Sequence, residues 1–434
     1  MKSLCFSILL VCSCWISTRA QEFLSLDSAI SRALAHNYDV RIANLSTQIA
    51  GTNNTLGNAG LLPLIGATSN VSEGIANTRL VRSEGTVTSA NAANTFNTNS
   101  GLTASFTVFA AGRAFIIKKQ LGKRVEYADA VLKTQVQSTV SGVIQAYAAV
   151  VNDQRQIVAI DTAIALAKAR MDISKAKYDI GTSAKVDYLQ ARVDYNTAKT
   201  QRLAQDATHA ASLANLNEFM GENAEAVYTV EDSLQVNTRL TPADSSLLIS
   251  RSPLLESQRI NAEISHLDTR IARTYYYPNL GANLGYGYNL TTSDASLTSS
   301  NRSLGPTGGL GLTIPIFQAG NVRRLVKVAS LTSLSAELQV NRQERAISRQ
   351  YRTAWAAYNT AIETYNLQAE NRGYARENLD IQEARFKVGV ATSIELREAE
   401  NSYIATLASY YAAQFNAKVA ETKVLEIEAR LVEE

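Results

Sequence analysis

The sequence predicts an α+β membrane protein in which transmembrane β-strands are joined to very long α-helical coiled-coil hairpins, the whole laid out twice in tandem. Three observations carry this. A short stretch recurs around Gly181 and Gly389, 208 residues apart (389 − 181). Alternating apolar and small polar residues mark strands in each half. Long proline-free runs, with apolar residues stepping by three and four, mark the helices.

Charge is nearly balanced, with 42 basic and 39 acidic residues, which gives no reason to expect a nucleic-acid partner. The three cysteines, Cys5, Cys12 and Cys14, lie close to the N-terminus, so no disulfide framework or cysteine metal site is available to the rest. That terminus reads as a secretory signal over 1–20. Lys2 opens it, Leu4 to Val11 form the apolar core, and Thr18-Arg19-Ala20 is the cleavage site. A lipoprotein signal ending at Cys14 is the rival reading. No later stretch has the ~20 consecutive apolar residues of a membrane-spanning helix. Any membrane crossing must therefore use strands.

The first repeat covers 21–220. Its helical pattern starts at Leu26, with Asp27 as N-cap, and continues through Ile42, Leu45 and Ile49. Residues 62–73 form a weak strand, and 72–99, rich in Ser, Thr, Asn and Gly, read as an exposed loop or hairpin end. Over 100–110, Leu102, Ala104, Phe106 and Val108 alternate with Gly101, Thr103, Ser105 and Thr107, giving a strand with one apolar face. From Arg113 to Tyr178 there is no proline, and at ~1.5 Å per residue such a helix reaches roughly 100 Å. Ile157, Ile160, Ile164, Ala167, Met171, Ser174 and Tyr178 form a heptad seam within it. The chain bends at Gly181 and returns as a second helix to Met220, where Gly221 stops it. Residues 221–245, with the β-prone Val227 to Val230, form a connecting segment.

The second repeat covers 246–434. The interval from Asn37 to Pro63 equals that from Ser252 to Pro278, at an offset of 215 (252 − 37). Phe109 and Gly112 correspond to Phe317 and Gly320 at an offset of 208 (317 − 109), the same as the glycine bends. Strands are expected near 279–290, where Leu280, Ala282, Leu284, Tyr286, Tyr288 and Leu290 share a face, and near 308–317, with Leu310, Leu312, Ile314 and Ile316. A second long hairpin bends at 389. Strands of ~9–11 residues with one apolar face suit a barrel wall in lipid, and Tyr275, Tyr276 and Tyr277 suit an interfacial aromatic girdle. Two strands per repeat cannot close a barrel. An open sheet in lipid leaves edge N–H and C=O groups unpaired, so several copies are required, eight strands from two or twelve from three.

With these features in order, the chain resembles the TolC-like outer membrane efflux family over residues 22–430. The resemblance rests on the duplicated order of helix, two strands and long hairpin. It rests also on Tyr178 to Gly181 and Phe386 to Gly389, and on Phe317 to Gly320 following Ile314 to Ile316. It implies a homotrimer whose twelve-stranded transmembrane barrel, four strands per chain, is continued by a periplasmic helical coiled-coil barrel. It further implies contact with outer-membrane lipid, a periplasmic adaptor (membrane fusion) protein and an inner-membrane transporter, with no nucleic acid. The expected location is the outer membrane of a Gram-negative-type bacterium.

By the same resemblance the hairpin tips Ile180, Gly181, Thr182, Ser183 and Val388, Gly389, Val390, Ala391 contact the adaptor. Asp187, Glu395 and Glu398 line the periplasmic entrance. Glu395 and Glu398 are three apart and share a helix face, so copies of them would form a carboxylate ring favouring cations. The competing reading is a solvated helix face that includes Arg397 and Glu400. Family members that latch the closed entrance with a tyrosine and an arginine differ here, because those positions hold Phe386 and Ala391. Lys185 and Arg397 are the candidate substitutes. The expected function is a passive exit duct of a tripartite efflux or type I secretion system. The alternative is a periplasmic coiled-coil scaffold or adaptor without a barrel. No catalytic residue, metal or cofactor is assigned: His36, His209 and His266 lie in separate helical segments, and no phosphate-binding loop or nucleophile elbow is present.

Overall fold

In the computed structural model, the described residues are 22–231, 233–295 and 298–432. The export signal and Cys14 lie outside them. In chain order the elements are β1 (Glu22–Leu24), α1 (Leu26–His36), α2 (Tyr38–Asn53), β2 (Leu64–Val81), β3 (Val87–Phe109), α3 (Arg113–Asp179), α4 (Lys185–Met220), β4 (Tyr228–Val230), α5 (Ser245–Arg251), α6 (Pro253–Thr274), β5 (Asn279–Ser293), β6 (Ser300–Thr313), α7 (Asn321–Lys387) and α8 (Ser393–Ile427). α3 and α7 are each 67 residues long and start 208 residues apart (321 − 113). The duplication extends to backbone conformation. Left-handed residues recur at that offset, pairing Ala111 with Ala319, Gly112 with Gly320, Gly181 with Gly389 and Gly221 with Ala429. The chain divides into two compact units.

One unit holds residues 41–135 and 244–350. Its centre is a four-stranded antiparallel sheet in the order β2-β3-β5-β6. Cross-strand partners share a face, and the register sorts the side chains cleanly. Ala67, Leu102, Tyr286 and Pro306 form one row, and Thr68, Gly101, Gly287 and Gly305 the next on the opposite face. Leu284, Tyr286, Leu304, Leu310 and Leu312 of the apolar face are exposed. The helical side of this unit is held by Ala130, Ile260 and Ile264, with Gln120 donating to Asp268 at 2.6 Å and Lys123 paired with Glu263 at 2.9 Å.

Two strand expectations are corrected here. Most of 72–99 is strand, because β2 and β3 run on as a ladder to a turn at Arg82–Thr86, where Gly85 takes φ +87°. Ser, Thr and Asn signal a loop only while their backbone groups lack partners, and the facing strand supplies them. The last strand lies over Ser300–Thr313 rather than 308–317. Pro315 has no N–H to give the ladder, and Ile316 is 93% exposed.

The other unit holds the described residues up to Val40, with 136–243 and 351 onward. The first helical run breaks at Asn37, whose Oδ1 accepts from the Asp39 and Val40 N–H groups and restarts the helix as α2. Ser25, not Asp27, caps α1, accepting from Ser28 N at 3.2 Å. β1 pairs in parallel with β4. Against this ribbon, Val143, Tyr147, Val150, Leu216 and Met220 form a buried core with Ala29 and Ala33. The Tyr147 hydroxyl donates to Leu24 O at 3.0 Å and accepts from Glu231 N at 3.1 Å, and burial pushes its pKa up to about 12. Around the second helix pair, Tyr351, Trp355 and Tyr358 stack along α7 against Val424, and Tyr358 donates to Asn237 O at 2.6 Å.

Gly221 closes α4 at φ +70°, and a Cβ there would sit 2.5 Å from the His36 carbonyl oxygen. Gly221→Ala should therefore cost about 1–3 kcal/mol, seen as a lower melting temperature of the purified protein. Gly122→Ala, in open space on α3, should be neutral or mildly stabilising.

Candidate functional site

Both bends are built alike. Gly181 and Gly389 take φ +78° and +81°, as a left-handed helix end requires. Each donates to the residue three before it, Tyr178 O at 2.9 Å and Phe386 O at 3.1 Å. The next residue closes the helix with a longer loop, Thr182 N to Lys177 O at 2.8 Å and Val390 N to Arg385 O at 2.9 Å. Ile180 and Val388, about three-quarters exposed at 74% and 75%, lead an apolar tip that includes Val390 and Ile394. Ala391 faces inward and is buried, leaving the tip surface to its neighbours.

The three carboxylates differ in circumstance. Asp187 accepts from the Ser183 hydroxyl at 2.6 Å. Glu395 closes a capping box: its Oε2 accepts from Thr392 N at 2.6 Å and Thr392 Oγ1 at 2.9 Å, and Thr392 Oγ1 accepts from Glu395 N. The Thr392 backbone N–H, then its hydroxyl, lowers the Glu395 pKa below its ordinary value. Glu398, one turn on, is exposed.

The positions where a tyrosine and an arginine would form the latch are filled by packing. Phe386 and Ala391 are buried with Leu379, Leu396 and Ala399, against Leu166 and Ile173 of α3. Lys177, rather than Lys185 or Arg397, meets the phenyl ring, its Nζ 4.1 Å from the centroid. Lys177 is only partly buried, and a cation over an aromatic face at such a site contributes about 0.5–1 kcal/mol. The second hairpin end is thus tied to α3 by an apolar cluster with a cationic lid.

Glu400 does not belong to a solvated face. It is buried, and its Oε2 lies 2.8 Å from Arg170 Nη1, with alignment short of a hydrogen bond. Arg170, only 3% exposed, donates through Nη2 to Asp194 Oδ2 at 2.7 Å. Arg170 and Asp194 carry no motif, and Glu400 alone leaves a signal in the sequence. Glu400 stands four residues after Leu396 and seven before Leu407, so its charge interrupts an apolar stripe, and Arg170 adjoins the seam residue Met171.

Phe386→Ala should cost roughly 3–5 kcal/mol locally, read as faster proteolysis at the two bends. Lys177→Gln keeps the cluster and should have a smaller effect of the same sign.

The sequence profile described as "Outer membrane efflux protein" matches residues 29–222 and 245–427. A sequence search of curated proteins gives no match. Among solved structures, the fold is similar to the Campylobacter jejuni CmeC outer membrane channel, with TM-score 0.79, 17% identity, and coverage of 93% of this chain and 85% of that one. It is similar also to the Vibrio cholerae outer membrane protein VceC, with TM-score 0.74, 16% identity, and coverage of 93% and 96%. The open state of the Neisseria gonorrhoeae MtrE outer membrane channel gives TM-score 0.70, 18% identity, and coverage of 93% and 88%. At these identities the likeness carries the fold, and the profile carries the family. The chain belongs to the outer membrane efflux protein family, as a non-enzymatic outer-membrane channel with TolC-like architecture.

Proposed function

We propose that this chain is one subunit of a homotrimeric exit duct that takes cargo from an inner-membrane transporter through a periplasmic adaptor. The observation that carries this reading is the four-stranded sheet. One of its faces is apolar and exposed, and the outer edges of β2 and β6 have no strand partner among the described residues. Lipid suits the apolar face, and strands from other copies suit the edges. Three copies make a twelve-stranded barrel, within the range of known closed barrels. The exposed Leu331, Leu334 and Leu338, at helical spacing on α7, offer a further apolar surface for a neighbouring copy. No helix among the described residues is long and apolar enough to cross a membrane. Tyr275, Tyr276 and Tyr277, exposed just before β5, suit the lipid–water interface.

The tips form the periplasmic end in this reading. Ile180, Val388 and Val390 give the adaptor an apolar contact, while Asp187, Glu395 and Glu398 surround the entrance. Three copies of Glu398 and Glu395 concentrate negative charge in a narrow mouth and favour cations. The helix cap favours the charged form of Glu395, so both carboxylates add to that charge. A periplasmic scaffold without a barrel would leave the apolar sheet face in water.

Single-channel recordings in planar bilayers test this. Glu398→Ala should lower cation selectivity, and adding Glu395→Ala should lower it further. Unchanged selectivity in the double variant would remove the ring, and recovery of the protein in the soluble periplasmic fraction without detergent would remove the channel.

A further inference from the structure

The Arg170 cluster has no part in the reading above, and its charges do not balance. α3 contributes Arg170, α4 contributes Asp194, α8 contributes Glu400, and α7 brings Glu383 close enough to act on Glu400. One guanidinium therefore contacts two carboxylates, Asp194 and Glu400, and Glu383 adds to the negative charge acting on Glu400. Glu383 has Lys387 at 3.6 Å, but that lysine is two-thirds exposed. The adjoining cavity of about 380 Å³ between α3, α4 and α8 is lined otherwise by Ala, Leu, Ile, Thr, Asn and Gln side chains, so no second cation faces the group from there. The cluster lies nine residues before the end of α3 and seven after the start of α8, about three turns from each bend glycine.

We propose that Arg170 is a positioning residue that clamps α3, α4 and α8 together behind the entrance, and that Glu400 is its proton-dependent arm: uncharged it packs, and ionised it drives α8 away from the clamp. This rests on the placement of the entrance at these tips. A neutral Glu400 adds no charge to the cluster, and its carbonyl oxygen can still accept from Arg170. An ionised Glu400 adds a buried charge facing Asp194 and Glu383, with a single, poorly aligned partner. Burial pushes the Glu400 carboxyl up to about 7 from its ordinary 4.5, Arg170 opposing and Glu383 and Asp194 adding.

The direction follows from linkage. A raised carboxyl holds its proton more tightly in the clamped state than when α8 is released and Glu400 is solvated. Below the ordinary value both states are protonated and the clamp is at full strength. As pH rises towards 7 the released state ionises first, and the clamped state progressively loses its advantage. The entrance is therefore held tightest in acid and loosens towards neutrality and above.

Hydrogen exchange on the full-length protein in lipid nanodiscs reads this directly, in peptides from Ser393–Leu407 and from the last three turns of α3. After correction for the intrinsic pH dependence of exchange, protection in the wild type should fall more than about tenfold between pH 5.5 and 8. Glu400→Gln should keep the acid-like protection throughout. Glu383→Gln removes a repelling charge and should move the midpoint to lower pH. Flat wild-type protection, an unchanged slope in Glu400→Gln, or an unmoved midpoint in Glu383→Gln would each overturn the clamp. Conductance over the same pH range separates the two readings. If exchange follows the proposal and conductance is pH-independent, the clamp stands and the placement of the entrance at these tips fails.

Discussion

The rows of unpaired N–H and C=O groups along the outer edges of β2 and β6 set the terms for everything else. In water such edges cost little, because solvent bonds to them. In hydrocarbon each unpaired group costs several kcal/mol, and no local rearrangement of four strands removes both edges. The apolar face built by Leu102, Leu284, Tyr286 and Leu310 makes hydrocarbon the better environment for the sheet. Those two facts together ask for more copies of the chain. The opposite face, rich in Gly, Thr and Asn, is small and polar, as the inside of a water-filled barrel requires.

Duplication supplies the geometry cheaply. Each repeat follows its second barrel strand with a left-handed pair, Ala111 with Gly112 in the first and Ala319 with Gly320 in the second, and a 67-residue helix starts directly after it. Yet the copies have diverged where the hairpins end. At the offset of 208, Arg170 corresponds to Asn378 and Glu400 to Arg192. The clamp therefore exists once per chain. Likewise the capping box of Thr392 and Glu395 has its counterpart in Ala184 and Asp187, where α4 begins without a side-chain cap. Two structurally similar tips thus start their return helices differently, one with a side-chain cap and one without.

Much of the fold was legible because it is periodic. Alternation over Leu102 to Val108 and Leu280 to Leu290 set the faces of β3 and β5, and the absence of proline set the long helices. Aperiodic, partner-dependent features were not legible. The break at Asn37 depends on a side chain that bonds two following N–H groups, where Ala29 to Ile49 otherwise scan as one helix. β1 is three residues long and exists because β4, about 200 residues later, pairs with it. At the candidate site, the carboxylates and glycines could be read from spacing. Lys177 over Phe386, and Arg170 between Asp194 and Glu400, required knowing which helices meet.

The central claim is that the sheet edges are completed by other copies of this chain. Native mass spectrometry of the protein released from detergent micelles measures this most directly. The account predicts an assembly of three chains as the folded species. A folded, membrane-inserted monomer retaining its strand content would contradict it.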